Sequence, residues 1–218
     1  MTAAASIEQL ISQRFPGRLL GAHAYRGDQT VVVAREGLGE VARWLRDDPA
    51  MAFDFLMDIG GVDYLKFGKS KGSAPRLATP SPLPYFMTPK PVTETWQRLP
   101  ARAERSEAGG PAPGKEGPAG QVGEEYRFEV VYHFYSSTHN QRLRVKVPLT
   151  VSQPEVDSLT SLWPAANWFE REVWDMFGIR FLGHPNLKRL LMYESFDGHP
   201  LRKDYPVYKR QPLIGPAN

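Results

Sequence analysis

The chain of 218 residues contains no cysteine. That absence excludes disulfides, thiolate metal sites and ordinary iron–sulfur ligation, so any cluster chemistry has to belong to another polypeptide. Long apolar runs are missing as well: nothing approaches the ~18 consecutive apolar residues a membrane span requires. The opening residues, MTAAASIEQLISQRF, have neither a basic start followed by an apolar block nor the Arg- and Ser-rich character of a transit peptide, so residence on the cytoplasmic side is expected. A large excess of either charge is missing too. The net charge is +3, and the excess is local, with seven basic against four acidic residues from 70 to 123 and six against three from 188 to 210. No nucleic-acid motif accompanies it, and a solvated surface is the expected use of these charges.

A hydrophobic fraction of 41% is enough for an ordinary core. Ile7, Leu10, Ile11 and Phe15 follow helical spacing and stop at Pro16-Gly17. Residues 18–25 and 29–34 predict two strands around the Arg26-Gly27-Asp28 turn, and Leu38, Val41, Ala42 and Leu45 predict a helix. Phe53, Phe55, Met57 and Ile59 alternate as in a strand that is expected to bulge or break at Gly60-Gly61. One stretch imitates a dinucleotide site: Val31-Val32-Val33, then Gly37-Leu38-Gly39, with Asp58 at the place of a ribose-binding acid. Ala34, Arg35 and Glu36 separate the apolar strand from the first glycine, and no series of strand–helix–strand units follows. A plain strand-to-helix connection is the expectation, and a stand-alone dinucleotide-binding protein is the rival reading.

From 70 to 123 proline, glycine and alternating charge replace any periodicity, the mark of an excursion outside the core. Within it, Leu83 to Met87 and Trp96 are candidates for packing on the domain or on a neighbour. Order returns with the clearest hairpin in the chain. Tyr126, Phe128, Val130, Tyr132 and Phe134 share one face of a strand, and Leu143, Val145 and Val147 share one face of the next, whose other face carries Arg142, Arg144 and Lys146. A short helical piece is expected at 154–162.

The densest stretch is 165–191, AANWFEREVWDMFGIRFLGHPNLKRLL. On a wheel of ~100° per residue, Ala165, Ala166, Phe169, Val173, Met176 and Phe177 form one apolar arc, while Asn167, Arg171 and Asp175 lie opposite. Trp168 and Trp174 fall outside the arc, so something else should cover them. Glu170, Glu172 and Asp175, with His184 and His199, invite a metal or acid–base reading. The two glutamates diverge on the wheel, Arg171 reaches Asp175 at i,i+4, and both histidines sit in Gly-His-Pro turns without a nucleophile nearby. No catalytic, cofactor-binding or metal-ligating residue is therefore expected; Arg171 and Asp175 are expected to pair structurally. The tail carries prolines at 200, 206, 212 and 216, which forbid a lasting helix, and alternates aromatics with cations, as an extended arm anchored on another protein would.

Glu170-Arg171-Glu172, Asp175-Met176-Phe177-Gly178-Ile179, Phe181, Gly183-His184-Pro185, Leu187 and Arg189-Leu190-Leu191 strongly resemble the signature of the C-subunit (30 kDa-type) family of NADH-quinone oxidoreductase, respiratory complex I. Trp163 to Phe169 and Gly198 to Pro206 resemble the same family, and the likeness covers all but the 70–123 insertion. The resemblance implies an α+β domain with a mixed or antiparallel sheet and helices packed on it. It would be built from 1–69 and 124–191, with the insertion at 70–123 and an extended arm over 192–218. It also implies a cofactor-free component of the peripheral arm of a proton-translocating, quinone-reducing complex. Such a component supports assembly and docks chiefly on the D-subunit homologue beside other peripheral-arm subunits, with FMN and iron–sulfur clusters held by those partners. Its place would be the cytoplasmic side of a bacterial membrane, reached through the complex and without nucleic acid. The equivalent subunit of a membrane-bound hydrogenase-type complex is the alternative. Trp168, Trp174, His184, Arg189, His199, Arg202, Lys203, Asp204, Tyr205 and Tyr208 are the candidate interface residues.

Overall fold

The computed structural model describes residues 7–25, 27–65, 126–206 and 208–211. They belong to the unit formed by Met1–Leu65 and Gly117–Asn218. The expected packing of Leu83 to Met87 and of Trp96 lies outside the described residues. In chain order the elements are α1 (Ile7–Arg14), β1 (Leu19–Tyr25), β2 (Asp28–Val33), a 3-10 turn at Arg35–Gly37, α2 (Leu38–Asp47), β3 (Phe55–Asp63), β4 (Tyr126–Ser136), β5 (Gln141–Thr150), β6 (Glu155–Asp157), α3 (Ala166–Phe177) and β7 (Arg180–Leu182).

Five strands form one sheet in the order β1-β2-β5-β4-β3, and β6 and β7 form a second, two-stranded one. The large sheet is mixed: β2 runs parallel to β5, and the other neighbours are antiparallel. The fold is therefore α+β, as the resemblance implies. Alternation along the β4–β5 hairpin buries Phe128, Val130, Tyr132, Phe134, Leu143, Val145 and Val147 together with Val31 and Val33 of β2. The same cluster takes Ile7 and Ile11 of α1, Leu38, Val41, Ala42 and Leu45 of α2, and Ala166 and Val173 of α3. On the other side of the hairpin Lys146 is buried as well, 3.4 Å from the carboxylate of Glu129.

Three local expectations change. The alternation at 53–59 breaks because the register of β3 against β4 shifts between Leu56 and Asp58. A bulge there exchanges the faces, so Leu56 and Ile59 are buried while Phe55 and Met57 are exposed. The strand does not break at Gly60-Gly61 but continues to Asp63, and Gly61 serves close approach: a Cβ there would lie 2.6 Å from the Phe177 ring of α3. The helical piece expected at 154–162 is instead β6 followed by turns, since Glu155, Val156 and Asp157 pair in parallel with Arg180, Phe181 and Leu182. The dinucleotide imitation also fails in three dimensions. After α2 the chain enters β3, which runs parallel to β2 but lies at the far edge of the sheet with β5 and β4 between them, so the adjacent-strand βαβ unit of a dinucleotide site is not formed.

Candidate docking site around helix α3

Helix α3 starts after Pro164 and ends at Gly178, whose φ of 72° is the left-handed conformation glycine adopts without strain. A helix leaves its last four carbonyls unpaired, and here each one has a donor. Gly178 N–H donates to Trp174 O at 2.8 Å, His199 Nδ1 lies 3.0 Å from Asp175 O, Leu201 N–H donates to Met176 O at 3.1 Å, and Arg202 Nε donates to Phe177 O. The second Gly-His-Pro turn and the Leu-Arg after it thus form a cap assembled from well downstream in the chain. Burial depresses the basicity of His199, against the pull of the Asp175 carbonyl, and keeps the ring neutral with its proton on Nδ1. His184 serves the other end of the helix. It accepts from Asn186 N–H through Nδ1 at 3.0 Å, which leaves Nε2 as the donor to Asn167 O at 3.2 Å. Both histidines have the hydrogen-bonding role expected of turn residues.

The acids of the signature lie deeper than the wheel predicts. Asp175, placed opposite the apolar arc by that reading, is 0% exposed. It does not pair with Arg171. Arg189 Nη1 donates to its Oδ1 at 2.6 Å, and the backbone N–H groups of Leu190, Leu191 and Met192 donate to Oδ2 at 3.0, 2.8 and 2.9 Å. Burial alone would raise the pKa of this carboxyl, but the Met192 N–H, the Arg189 guanidinium and the Leu191 and Leu190 N–H groups outweigh it and hold the pKa below the usual value. Arg171 turns instead to the carbonyls of Lys188 and Arg189, both at 3.1 Å. Local spacing favoured the i,i+4 partner; the segment 188–192, folding back over α3, offers four donors at once and wins. Glu170 is also 0% exposed, accepting from Ser158 Oγ at 2.6 Å and Leu159 N–H at 2.7 Å, and its burial pushes the pKa up to about 7.

Another buried carboxylate ties the tail to the sheet. Asp63, at the end of β3, accepts from Arg127 Nε at 3.0 Å and Nη2 at 2.8 Å, and from the N–H groups of Leu65 and Lys203, both at 2.9 Å. Arg127 also reaches Asp204 at 2.7 Å. Sequence reasoning missed Asp63 and Arg127; their partners lie in strands separated by the whole insertion, and no local pattern announces such a pair.

The tail is therefore fastened to its own domain for much of its length. Arg189 donates further to Phe196 O and Gly198 O and lies 5.8 Å from the Trp174 ring, covering a tryptophan that also packs against the core cluster. Tyr205 stacks on Phe196 at 6.0 Å. Arg189, His199, Arg202, Asp204 and Tyr205 all spend their polar or aromatic groups within the chain. What faces outward is Trp168, 58% exposed with the Arg171 guanidinium 5.1 Å from its ring, together with Leu182, Leu191, Leu201, the Lys203 side chain and Tyr208 at 95% exposure. Among the described residues no group of three or more His, Asp or Glu side chains is placed to hold a metal ion, and no helix is long and apolar enough to cross a membrane.

The family model of the respiratory-chain NADH dehydrogenase 30 Kd subunit matches residues 116–211, the part that holds the hairpin, α3 and the Asp175 cluster. The NADH-quinone oxidoreductase C-subunit of Roseiflexus sp. (strain RS-1) is 37% identical over 93% of this chain and 84% of its own length. Its counterpart in Citrifermentans bemidjiense is 36% identical over 94% and 92%. A solved chain of the membrane-bound sulfane sulfur reductase, an archaeal respiratory membrane complex, superposes with a TM-score of 0.53 at 17% identity over 91% of this chain and 83% of that one, a likeness of fold alone. On sequence identity sustained along nearly its whole length, the chain belongs to the respiratory-chain NADH dehydrogenase 30 Kd subunit family, the C-type component of NADH-quinone oxidoreductase.

Proposed function

We propose that this chain is a cofactor-free scaffold of the peripheral arm, on the cytoplasmic side of a bacterial membrane. It supports assembly and braces the D-subunit homologue, which helps form the quinone site, while electrons pass from NADH to quinone through FMN and iron–sulfur centres in its partners. No side chain of this scaffold takes part in the chemistry; its contribution is shape. The observation that carries the docking is Trp168, a large ring left mostly in water on a helix whose neighbouring faces are buried, braced by Arg171 and accompanied by exposed Leu182 and Leu191. Trp and Arg are the side chains that anchor protein interfaces most strongly, and a tryptophan ring held by an arginine yet left mostly in water on a well-packed domain is suited to a partner's pocket. His184 acts indirectly, holding the 183–187 turn against the start of α3.

The test is affinity capture of the tagged chain from membranes of cells expressing wild type or Trp168→Ala. Truncating an interface anchor costs ~2 kcal/mol or more of binding, so the variant loses most of its co-purifying partners, while its unfolding free energy as a free chain, from urea titration, stays within ~0.5 kcal/mol of wild type. Undiminished capture of the partners removes Trp168 from the interface.

A further inference from the structure

Glu170 lies between α3 and the loop after β6, and nothing in the docking role uses it. It is fully buried, and no lysine, arginine or histidine among the described residues forms an ion pair with it. Its Oε2 lies 2.6 Å from Ser158 Oγ, and Ser158 Oγ lies 2.9 Å from Thr160 Oγ1. Ser158 and Thr160 are half-buried, so these two hydroxyls lead from the carboxyl to the surface. On the sheet side stands Tyr132 of β4, whose fully buried hydroxyl has no hydrogen-bond partner. A carboxylate taken from water without a cation is costly, and the neutral acid removes most of that cost.

We infer that Glu170 is a proton-binding site, occupied in the folded chain and in exchange with solvent through the Ser158 and Thr160 hydroxyls. The relay balances at every link. When the proton leaves, Glu170 Oε2–H donates its proton to Ser158 Oγ as Ser158 passes its own to Thr160 Oγ1 and Thr160 passes its own to water; uptake reverses each transfer. After release, the Ser158 hydroxyl and Leu159 N–H donate to the carboxylate as the structure shows.

The charges around the site do not compete for this proton. Tyr132 is the titratable group facing it from β4, its pKa pushed well above the ordinary value by burial first and then by Glu170 and Asp157, so it stays neutral. Asp157 at the end of β6 is exposed, Arg46 of α2 donates to Leu162 O at 3.0 Å, and on α3 itself Arg171 is bound to the carbonyls of Lys188 and Arg189 while Glu172 is exposed. Linkage sets the sign. A carboxyl whose pKa rises from 4.5 to about 7 on folding gives stability that is complete at low pH and is lost as pH climbs through that window.

The test compares the full chain with Glu170→Gln. Relative to the variant, the wild-type folding constant falls about a hundredfold between pH ~4.5 and ~7.5 in urea titrations. Infrared spectra at pH 6 show a protonated-carboxyl band, absent from the variant, whose titration in the wild type has its midpoint near 7 even if the variant folds poorly. Deuterium exchange into that carboxyl slows in Thr160→Val and recovers in Thr160→Ser. An equal pH dependence for the two proteins, or no such band at pH 6, overturns the site. Exchange unchanged in Thr160→Val overturns the relay.

Discussion

Asp175→Asn tests the reading of the signature most directly. The carboxylate is completely buried, with one oxygen facing Arg189 and the other facing three backbone N–H groups. An amide has a single acceptor, so its NH2 must confront either the guanidinium or the three amides. The cheaper placement keeps the oxygen on the backbone donors and leaves Arg189 mostly buried without a counter-charge. Breaking a buried pair by removing one partner costs ~3–5 kcal/mol, a large share of the ~5–15 kcal/mol of a typical domain. With a urea slope of ~2 kcal/mol/M the midpoint moves down by ~1.5–2.5 M. Arg189→Met should cost a similar amount, because it strands the carboxylate and releases Phe196 O and Gly198 O. The double variant should cost less than the sum, with a coupling of ~1.5–3 kcal/mol. The acid limb gives a second readout. The folded pKa of Asp175 lies below the ordinary 3.8, so its contribution is present above that value and lost as pH falls through the folded one. Asp175→Asn therefore flattens the decline in stability below pH ~4. A loss under ~1 kcal/mol, or strict additivity with Arg189→Met, refutes the cluster as the fastening of the tail.

Gly61→Ala places a methyl 2.6 Å from a ring carbon of Phe177 and should cost ~1–3 kcal/mol by overpacking, read as a lower melting temperature and relieved in the double variant with Phe177→Leu; a lone Gly61→Ala that melts like wild type shows that α3 and β3 do not approach as described. Truncation runs against the picture of a free arm. A chain ending at Leu187 loses every donor to the Asp175 carboxylate and three of the four caps on α3, and should give no cooperative melt by near-UV circular dichroism, whereas one ending at Pro206 retains them and folds. A cooperative transition in the Leu187 form would sink the internal role of the tail.

How legible this was depended on the range of the interaction. The hairpin could be read because alternation at Phe128, Val130, Tyr132 and Phe134 is set by the pleat and survives in almost any surroundings. Gly178 ends α3 for an equally local reason, the ease with which glycine takes the left-handed conformation. The bulge at 56–58 was not, because a register shift leaves no mark in composition. The wheel failed at Glu170 and Asp175 because it assumes one buried face, whereas α3 is covered by the loop after β6 on one side and by 188–192 on another. Arg189 was expected at a partner interface and Arg127 drew no expectation, for want of any local hint that Asp175 and Asp63 wait for them.

The pairing of β3 with β4 has a bearing on where this chain can tolerate change. These two strands pair through eight residues of β3, on either side of the bulge at Met57, yet the covalent path between them runs from Asp63 through the whole proline- and glycine-rich stretch to Tyr126. Loop-closure entropy grows with the logarithm of length, about 0.6 kcal/mol per doubling, so lengthening that connection weakens the β3–β4 ladder very little. The cost is kinetic. β2 finds its parallel neighbour β5 after the connection has been made, so on the ribosome the first 65 residues wait, with their sheet incomplete, until residues near 145 emerge. An insertion at this point is thus nearly neutral for the finished protein and is felt during its synthesis, as a longer exposure of the Val31 to Val33 strand.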